Sequence, residues 1–442
     1  MKGEELMRKT SIILLTYNNL EYTKACLESI YTYTEEGTYE LIVVDNASTD
    51  GTREYLVNDS RIRVVFNKEN VGFPKGCNQG IDLANPENDI LLLNNDTIVT
   101  TNWLTNLKRC LYSDVKIGAV GPVCNQQENR QGVSFSYTDL KQMQELALKN
   151  NRFDPEKWEE KLFLIGYCLL IKREVINQLK NLDEAYTPGY VEDNDLSLRI
   201  LKLGYKLILC HDTFIHHYLG TSFRKDLSQF YPILNKNRAY FKKKWGFQTI
   251  AFDERKSASY VMLEPCNCLL EVNAGIGVSL KEILYQGHPL QVEGVEYNRR
   301  KREIASLSFP VYSNLKSIKK TYDTILIGDF LETVKHPVSF LQKIHTLLKK
   351  EGTLILEIHN MANIKTITSL LQENFYKQEN SHRNFFTLKD MKLLLLKAGY
   401  KDIEVYSWYE NLSEEEEKNL ELLKKEGSMY RYTYYTIRCK KL

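Results

Sequence analysis

The stretches SIILLTYNN (residues 11–19) and ELIVVDNASTDGT (residues 40–52) decide the fold class. Each is a short run of Ile, Leu and Val, as long as a buried strand, that ends abruptly in Asn, Asp, Ser or Gly, residues that favour turns and helix caps for local reasons. Between them Glu21 to Tyr31 has apolar residues at helical spacing. Outward from this core the pattern repeats. Ile62 to Phe66 and Asp89 to Leu93 read as strands, and Gly51 to Val57 and Lys75 to Ala84 as helices. Such a βαβ series predicts an α/β fold with a parallel sheet and with ligands at the carboxyl ends of the strands. A less regular stretch follows over 122–160, then an apolar strand from Leu162 to Ile171, a helix, an acidic loop over 189–195, and a last helix and strand ending at Cys210.

The chain has 442 residues, more than one core usually accommodates, so two or three domains are expected. A basic run with Lys236, Arg238 and Lys242 to Lys244, followed by a polar stretch, places the boundary near 255, giving domains 1–254 and 255–442. Beyond it the alternation restarts. Cys268 to Val272, Gln291 to Glu296, Thr324 to Ile327 and Thr353 to Ile358 read as strands; Val278 to Tyr285, Val338 to Lys349 and Leu388 to Ala398 read as helices. A second α/β sheet is expected. The acidic run Glu414 to Glu417 reads as a solvated helix start.

Composition excludes several classes. Apolar residues make up 43% and charged residues 26%, ordinary for a globular protein, and the net charge is +2. The balance holds on both sides of residue 250, so neither half has the basic excess that binding to a nucleic-acid backbone requires. Nine cysteines, an odd number with no CxxC pair, fit reduced thiols, and Cys266 and Cys268, two apart on one strand face, fit a buried core. The first apolar run, Ile12 to Leu15, is far too short for a signal or spanning segment, so a cytoplasmic setting is expected, with peripheral contact at the inner membrane face left open.

Polar residues gather at the ends of the first-half strands: Thr16-Tyr17-Asn18, Asp45 to Gly51, and Asn94-Asn95-Asp96. Any one of these could be turn chemistry. Together with NVGFPKGCNQGI (70–81), LLLNNDTIV (91–99), GYVEDNDLSLRILKLGYKL (189–207) and IHHYLGTSF (215–223), in this order, they resemble glycosyltransferase family 2, with the GT-A fold, over residues 10 to about 245. The resemblance implies an inverting, metal-dependent transfer of a sugar from a UDP-, dTDP- or GDP-sugar to a glycan, glycolipid or glycoprotein acceptor, as in bacterial surface polysaccharide, S-layer or flagellar glycan assembly. It implies donor contacts from Thr16, Tyr17, Asn18, Asp45, Asn70, Lys75, Asn78, Asn95 and Asp96. Asp96 stands where relatives carry the last acid of a DxD motif and would hold Mn²⁺ or Mg²⁺, a hard cation suited to oxygen ligands and to a leaving pyrophosphate. His216 matches the family's metal-binding histidine, with adjacent His217 the rival; Asp193 matches the catalytic base, with Glu192 positioning it or the acceptor. Asp193 or Asp195 could instead simply cap the helix that starts near Leu196.

In the second half, LLEVNAGIG (269–277) sets a glycine turn between strand and helix, with Glu296 at the end of the next strand, the pattern by which a backbone approaches a nucleoside and an acid holds its ribose. The stretches 321–360 and 383–400 follow in the order seen in class I S-adenosylmethionine-dependent methyltransferases, which this half resembles from 262 to about 410, a Rossmann-like fold. The resemblance implies S-adenosylmethionine at Glu271, Asn273, Gly275, Gly277 and Glu296 and O-methylation of a sugar. Three departures keep a second reading open, in which this half is a degenerate acceptor-binding or assembly module. Asn273 replaces the usual first glycine, no acid follows the third strand over 311–315, and Thr333 stands where relatives often have His. His359 and His382 are open between methyl-transfer bases and structural histidines.

Overall fold

The computed structural model describes residues 8–125, 131–218, 227–249, 258, 266–287, 291–372, 384–409, 411–422 and 428–442. Its contacts divide into two compact units, 1–253 and 254–442.

The first unit is built on β1 (Thr10–Thr16), β2 (Tyr39–Asp45), β3 (Ile62–Phe66) and β4 (Asp89–Asn94), all parallel, in the order β3-β2-β1-β4. Helices α1 (Leu20–Tyr33), α2 (Thr52–Val57) and α3 (Phe73–Leu83) provide the crossovers. Gly76 and Gly80 lie one turn apart on α3, and a Cβ at either would collide with Leu15 or Ile13, so these glycines let the helix ride close on β1. The strand ends are level, because Thr16 pairs with Asp45 and Leu15 with Asn94.

Past β4 the sheet is mixed rather than parallel, which the sequence reading did not anticipate. A two-residue strand β5 (Thr97–Ile98) follows, then α4 (Trp103–Leu111), β6 (Ile117–Cys124), α5 (Leu140–Asn150), β7 (Trp158–Lys161) and β8 (Cys168–Ile171). The strand expected from Leu162 is thus only the four residues of β8, antiparallel to β4. After α6 (Arg173–Leu179) and α7 (Glu192–Lys202), β9 (Lys206–His217) runs beyond Cys210 and takes both histidines into the sheet. Helix α8 (Leu227–Trp245) closes the unit. A buried layer including Ile12, Leu14, Val43, Leu91 and Trp103 forms its core.

The second unit has strands β10 (Cys268–Val272), β11 (Gln291–Val295), β12 (Val311–Tyr312), β13 (Tyr322–Leu326), β14 (Leu348–His359), β15 (Tyr400–Tyr409) and β16 (Tyr432–Lys441) in the order β12-β11-β10-β13-β14-β16-β15. The first five are parallel, and β16 runs antiparallel between β14 and β15. The acidic run begins a helix at Glu414, as expected. Among the described residues no helix is long and apolar enough to cross a membrane. All nine cysteines are free thiols, and eight are buried.

Candidate active sites

Level strand ends bring the polar termini of β1, β2 and β4 to one edge. Thr16, buried, shares a hydroxyl contact with Thr23 at 3.0 Å and accepts from the Asn95 amide at 3.4 Å, so Asn95 is tied to Thr16 and Thr23. Asp45 is fully buried; its carboxylate accepts from the Ser48 amide at 3.2 Å and pairs with Arg53 at 3.2 Å. Arg53 was not singled out by the sequence reading. Asn18 adopts a left-handed φ of 55° and accepts from the Thr49 amide at 2.8 Å, joining the first two strand ends. Tyr17 and Lys75 are exposed, and Asn70 accepts from the Gly72 amide at 2.9 Å. Asn78 faces elsewhere. Its amide donates to Leu182 O and Glu184 and accepts from Leu182 N, clasping the 182–184 segment rather than a donor.

β5 pairs antiparallel with β9, Thr97 opposite His217 and Ile98 opposite His216, and this register carries the histidines to Asp96. His217 Nε2 lies 3.1 Å from Asp96 Oδ1, with its ring stacked on Tyr167. His216 turns to a different set of partners. Its Nδ1 meets the Tyr137 hydroxyl at 2.6 Å, the Tyr218 ring packs edge-on against it, and its buried Nε2 has no hydrogen-bond partner. Burial, helped by the neighbouring His217, pushes the His216 pKa down to about 4, so it is neutral at physiological pH. Tyr137 and Tyr167 had no signal in the sequence. No group of three or more His, Cys, Asp or Glu poised for a metal occurs among the described residues. The pair of an Asp carboxylate and an imidazole still suits a cation that takes its remaining ligands from substrate phosphates and water.

The acids of the 189–195 loop open α7. Tyr190 and Val191 both have φ near +75°, a costly conformation for a β-branched residue, and turn the chain into the helix. Glu192 and Asp193 keep some exposed surface, but Glu192 Oε2 is enclosed and unpartnered. Asp193 accepts from Asn194 N at 2.8 Å and from Gly166 N at 3.4 Å. Burial raises the pKa of both; Glu192 is also raised by the charge of Asp193. A helix N-terminus favours carboxylates by only about 0.3–1 kcal/mol, so desolvation wins here. Asp195 makes no cap. It is buried against α8, accepting from Trp245 Nε1 at 2.8 Å and pairing with Lys244 at 2.7 Å. Asn237, also on α8, donates to the carbonyls of Tyr186, Gly189 and Tyr190. These partners lie about 45 to 50 residues from the loop, so spacing alone could not reveal them.

In the second unit the turn after β10 has Asn273 at φ 62°, Gly275 at 61° and Gly277 at 95°. A Cβ on Gly277 would strike Phe309, whereas one on Gly275 would meet nothing within 4 Å, leaving open space over the turn. Glu296 is buried and accepts from Gly275 N at 2.7 Å and Asn298 N at 2.6 Å, so the acid braces the turn. Glu271 is buried in β10. Asn314, within the 311–315 stretch, caps a short helical turn through Lys316 N. The open cradle above Gly275 and the acid beside it fit an adenosine-bearing cofactor. His382 lies outside the described residues.

The glycosyl transferase family 2 model matches residues 11–180, and a methyltransferase domain model matches 215–405. The glycosyltransferase GlyG of Streptococcus pneumoniae is 26% identical over 46% of this chain and 68% of its own length. The N-acetylglucosaminyl-diphospho-decaprenol L-rhamnosyltransferase of Mycobacterium tuberculosis is 23% identical over 49% and 78% respectively. Three further curated relatives are matched over about a third of their length. A solved SAM-dependent methyltransferase from Thermotoga maritima is 19% identical, covering 46% of this chain and 96% of its own, with a TM-score of 0.34. The two family models thus match the chain one after the other, glycosyl transferase family 2 over 11–180 and a methyltransferase domain over 215–405.

Proposed function

We propose that the first unit transfers a sugar, with inversion, from a nucleotide-sugar to a glycan or glycoconjugate acceptor, and that the second O-methylates a sugar hydroxyl of that glycan. The observation that carries the reading is the placing of Asp45 and Asp96 at one edge of the sheet, with His217 in contact with Asp96, within a domain that also holds the Glu192–Asp193 acid pair. Thr16 and Asp45 would hold the nucleoside. Asp96 is the metal carboxylate, and its contact with His217 favours His217 over His216 as the second ligand. When bound, Mn²⁺ or Mg²⁺ would neutralise the charge that develops on the departing diphosphate. Asp193 takes the proton from the acceptor hydroxyl as the new glycosidic bond forms, and its raised pKa makes it a stronger base than an ordinary aspartate. Glu192, held neutral, donates a hydrogen bond to the acceptor or the transferred sugar.

In the second unit the turn at Gly275 and Gly277, braced by Glu296, would hold S-adenosylmethionine, with the domain boundary near 255. The departures at Asn273, 311–315 and Thr333 favour the alternative of a binding module, and one experiment separates the two. Thermal shift is measured over UDP-, dTDP- and GDP-sugars with and without Mn²⁺, and over S-adenosylhomocysteine. A ligand at 100 times its Kd stabilises by about 2.7 kcal/mol, a readable shift. A metal-dependent shift with one nucleotide-sugar class and a separate shift with S-adenosylhomocysteine are expected. No response to any nucleotide-sugar at millimolar concentration sinks the transferase reading, and none to S-adenosylhomocysteine leaves the binding module.

A further inference from the structure

We propose that Glu332 and His359 form the general-base pair for methyl transfer, His359 taking the proton of the acceptor hydroxyl and Glu332 holding the ring. The inference rests on the cofactor reading of the second unit. Glu332 reaches His359 with both oxygens: Oε1 accepts from the His359 backbone N–H at 2.6 Å, and Oε2 meets His359 Nδ1 at 2.8 Å. Glu332 is buried, with 3% of its side chain exposed, whereas His359 keeps 31%. A buried carboxylate on Nδ1 suits the ring to act as a base, because it fixes the tautomer with the proton on Nδ1, places the lone pair on Nε2, and stabilises the imidazolium that forms.

Position in the sheet agrees. His359 ends β14, and Glu332 lies in the segment after β13, so the pair stands at the same carboxyl edge as the glycine turn after β10. β10, β13 and β14 are successive neighbours, and two strand spacings separate the turn from His359 by roughly 10 Å across the sheet. Tyr297, next to Glu296, stacks on Phe330 with ring centroids 5.1 Å apart, linking the end of β11 to the segment that carries Glu332. The His359 ring is further held by Tyr434 on β16, with centroids 4.5 Å apart, and Asn360 donates to the carbonyls of Met429 and Tyr432, fixing the strand end. In the same segment Thr333 donates its hydroxyl to Phe330 O, which ties down the backbone next to Glu332.

The acceptor oxygen forms a bond to the methyl carbon, the S–CH₃ bond of S-adenosylmethionine breaks with its electron pair staying on sulfur, and the hydroxyl proton passes to His359 Nε2. The imidazolium is then paired with Glu332, and S-adenosylhomocysteine leaves.

The test uses the full chain. Transfer of labelled methyl from S-adenosylmethionine to a panel of p-nitrophenyl glycosides is measured beside calorimetric binding of S-adenosylhomocysteine and ¹H–¹⁵N spectra of histidine-labelled protein. His359→Gln is expected to lower kcat by ~10²-fold or more and Glu332→Gln by about tenfold, both with unchanged S-adenosylhomocysteine affinity, and added imidazole should partly restore His359→Ala. The wild-type spectrum should show a downfield Nδ1–H on His359 that Glu332→Gln removes. Near-normal transfer by His359→Gln, a His359 ring protonated on Nε2 instead, or a wild type that binds S-adenosylhomocysteine yet methylates no glycoside overturns the pair. A wild type that does not bind S-adenosylhomocysteine overturns the cofactor reading beneath it.

Discussion

Asp193 and Glu192 are adjacent carboxyl groups with opposite proposed duties. Asp193→Asn keeps the shape and removes the base, so kcat should fall by ~10²-fold or more with donor affinity unchanged, read by steady-state kinetics and calorimetry. Both pKa values are raised. The acid limb of kcat/KM should therefore lie above the range of a free aspartate, and activity should decline again at alkaline pH as Glu192 ionises. The sign for stability is the reverse of a salt-bridged acid. A carboxyl whose folded pKa exceeds its unfolded one favours the folded state at low pH and opposes it increasingly as pH rises through the folded value. Glu192→Gln should thus melt about 2–4 °C higher near pH 8, what ~1 kcal/mol yields in a domain of this size, while losing turnover, with little change in melting near pH 4. For the metal, His217→Ala should abolish Mn²⁺-dependent nucleoside diphosphate binding and His216→Ala should weaken it far less; the opposite ranking would restore His216 as the ligand. The sequence could not choose between them, because adjacent residues on a strand face opposite ways and only the pairing of β5 with β9 says which way is inward.

At the scale of elements, α8 holds the turn and the helix start that carry the acids. Asn237 fixes three carbonyls of the strained turn, and Lys244 and Trp245 hold Asp195 one turn into α7. Asn237→Ala should cost about 1–3 kcal/mol, since the freed carbonyls are left without a donor, and should lower kcat more than it raises KM for the donor. An equal loss in both would make α8 a plain packing element. Parallel elements were legible, since runs such as Ile62 to Phe66 and helix Val278–Tyr285 are short, apolar or strictly periodic. The antiparallel ones were harder. β15, YKDIEVYSWY, does alternate in burial along its length, a period-two signal that was there to be read, whereas β16 mixes tyrosines with terminal lysines and is placed only by its neighbours. The strand expected from Leu162 was too long because apolar residues also line the approach to the acids, where Gly166 meets Asp193.

For the whole molecule, two sheets with separate cores predict separate melting. Calorimetry should resolve two transitions, with a nucleotide-sugar and Mn²⁺ shifting one and S-adenosylhomocysteine the other; residues 254–442 made alone should fold and bind S-adenosylhomocysteine at micromolar affinity. EDTA should stop sugar transfer and leave S-adenosylhomocysteine binding intact. β16 lies inside the second sheet, between β14 and β15, although both are made before it. During synthesis the first unit can finish as soon as its own residues emerge. The second must wait with β14 and β15 unjoined until Tyr432–Lys441 is made, so a ribosome that stalls before this strand releases a working sugar transferase tethered to an unfinished and aggregation-prone sheet.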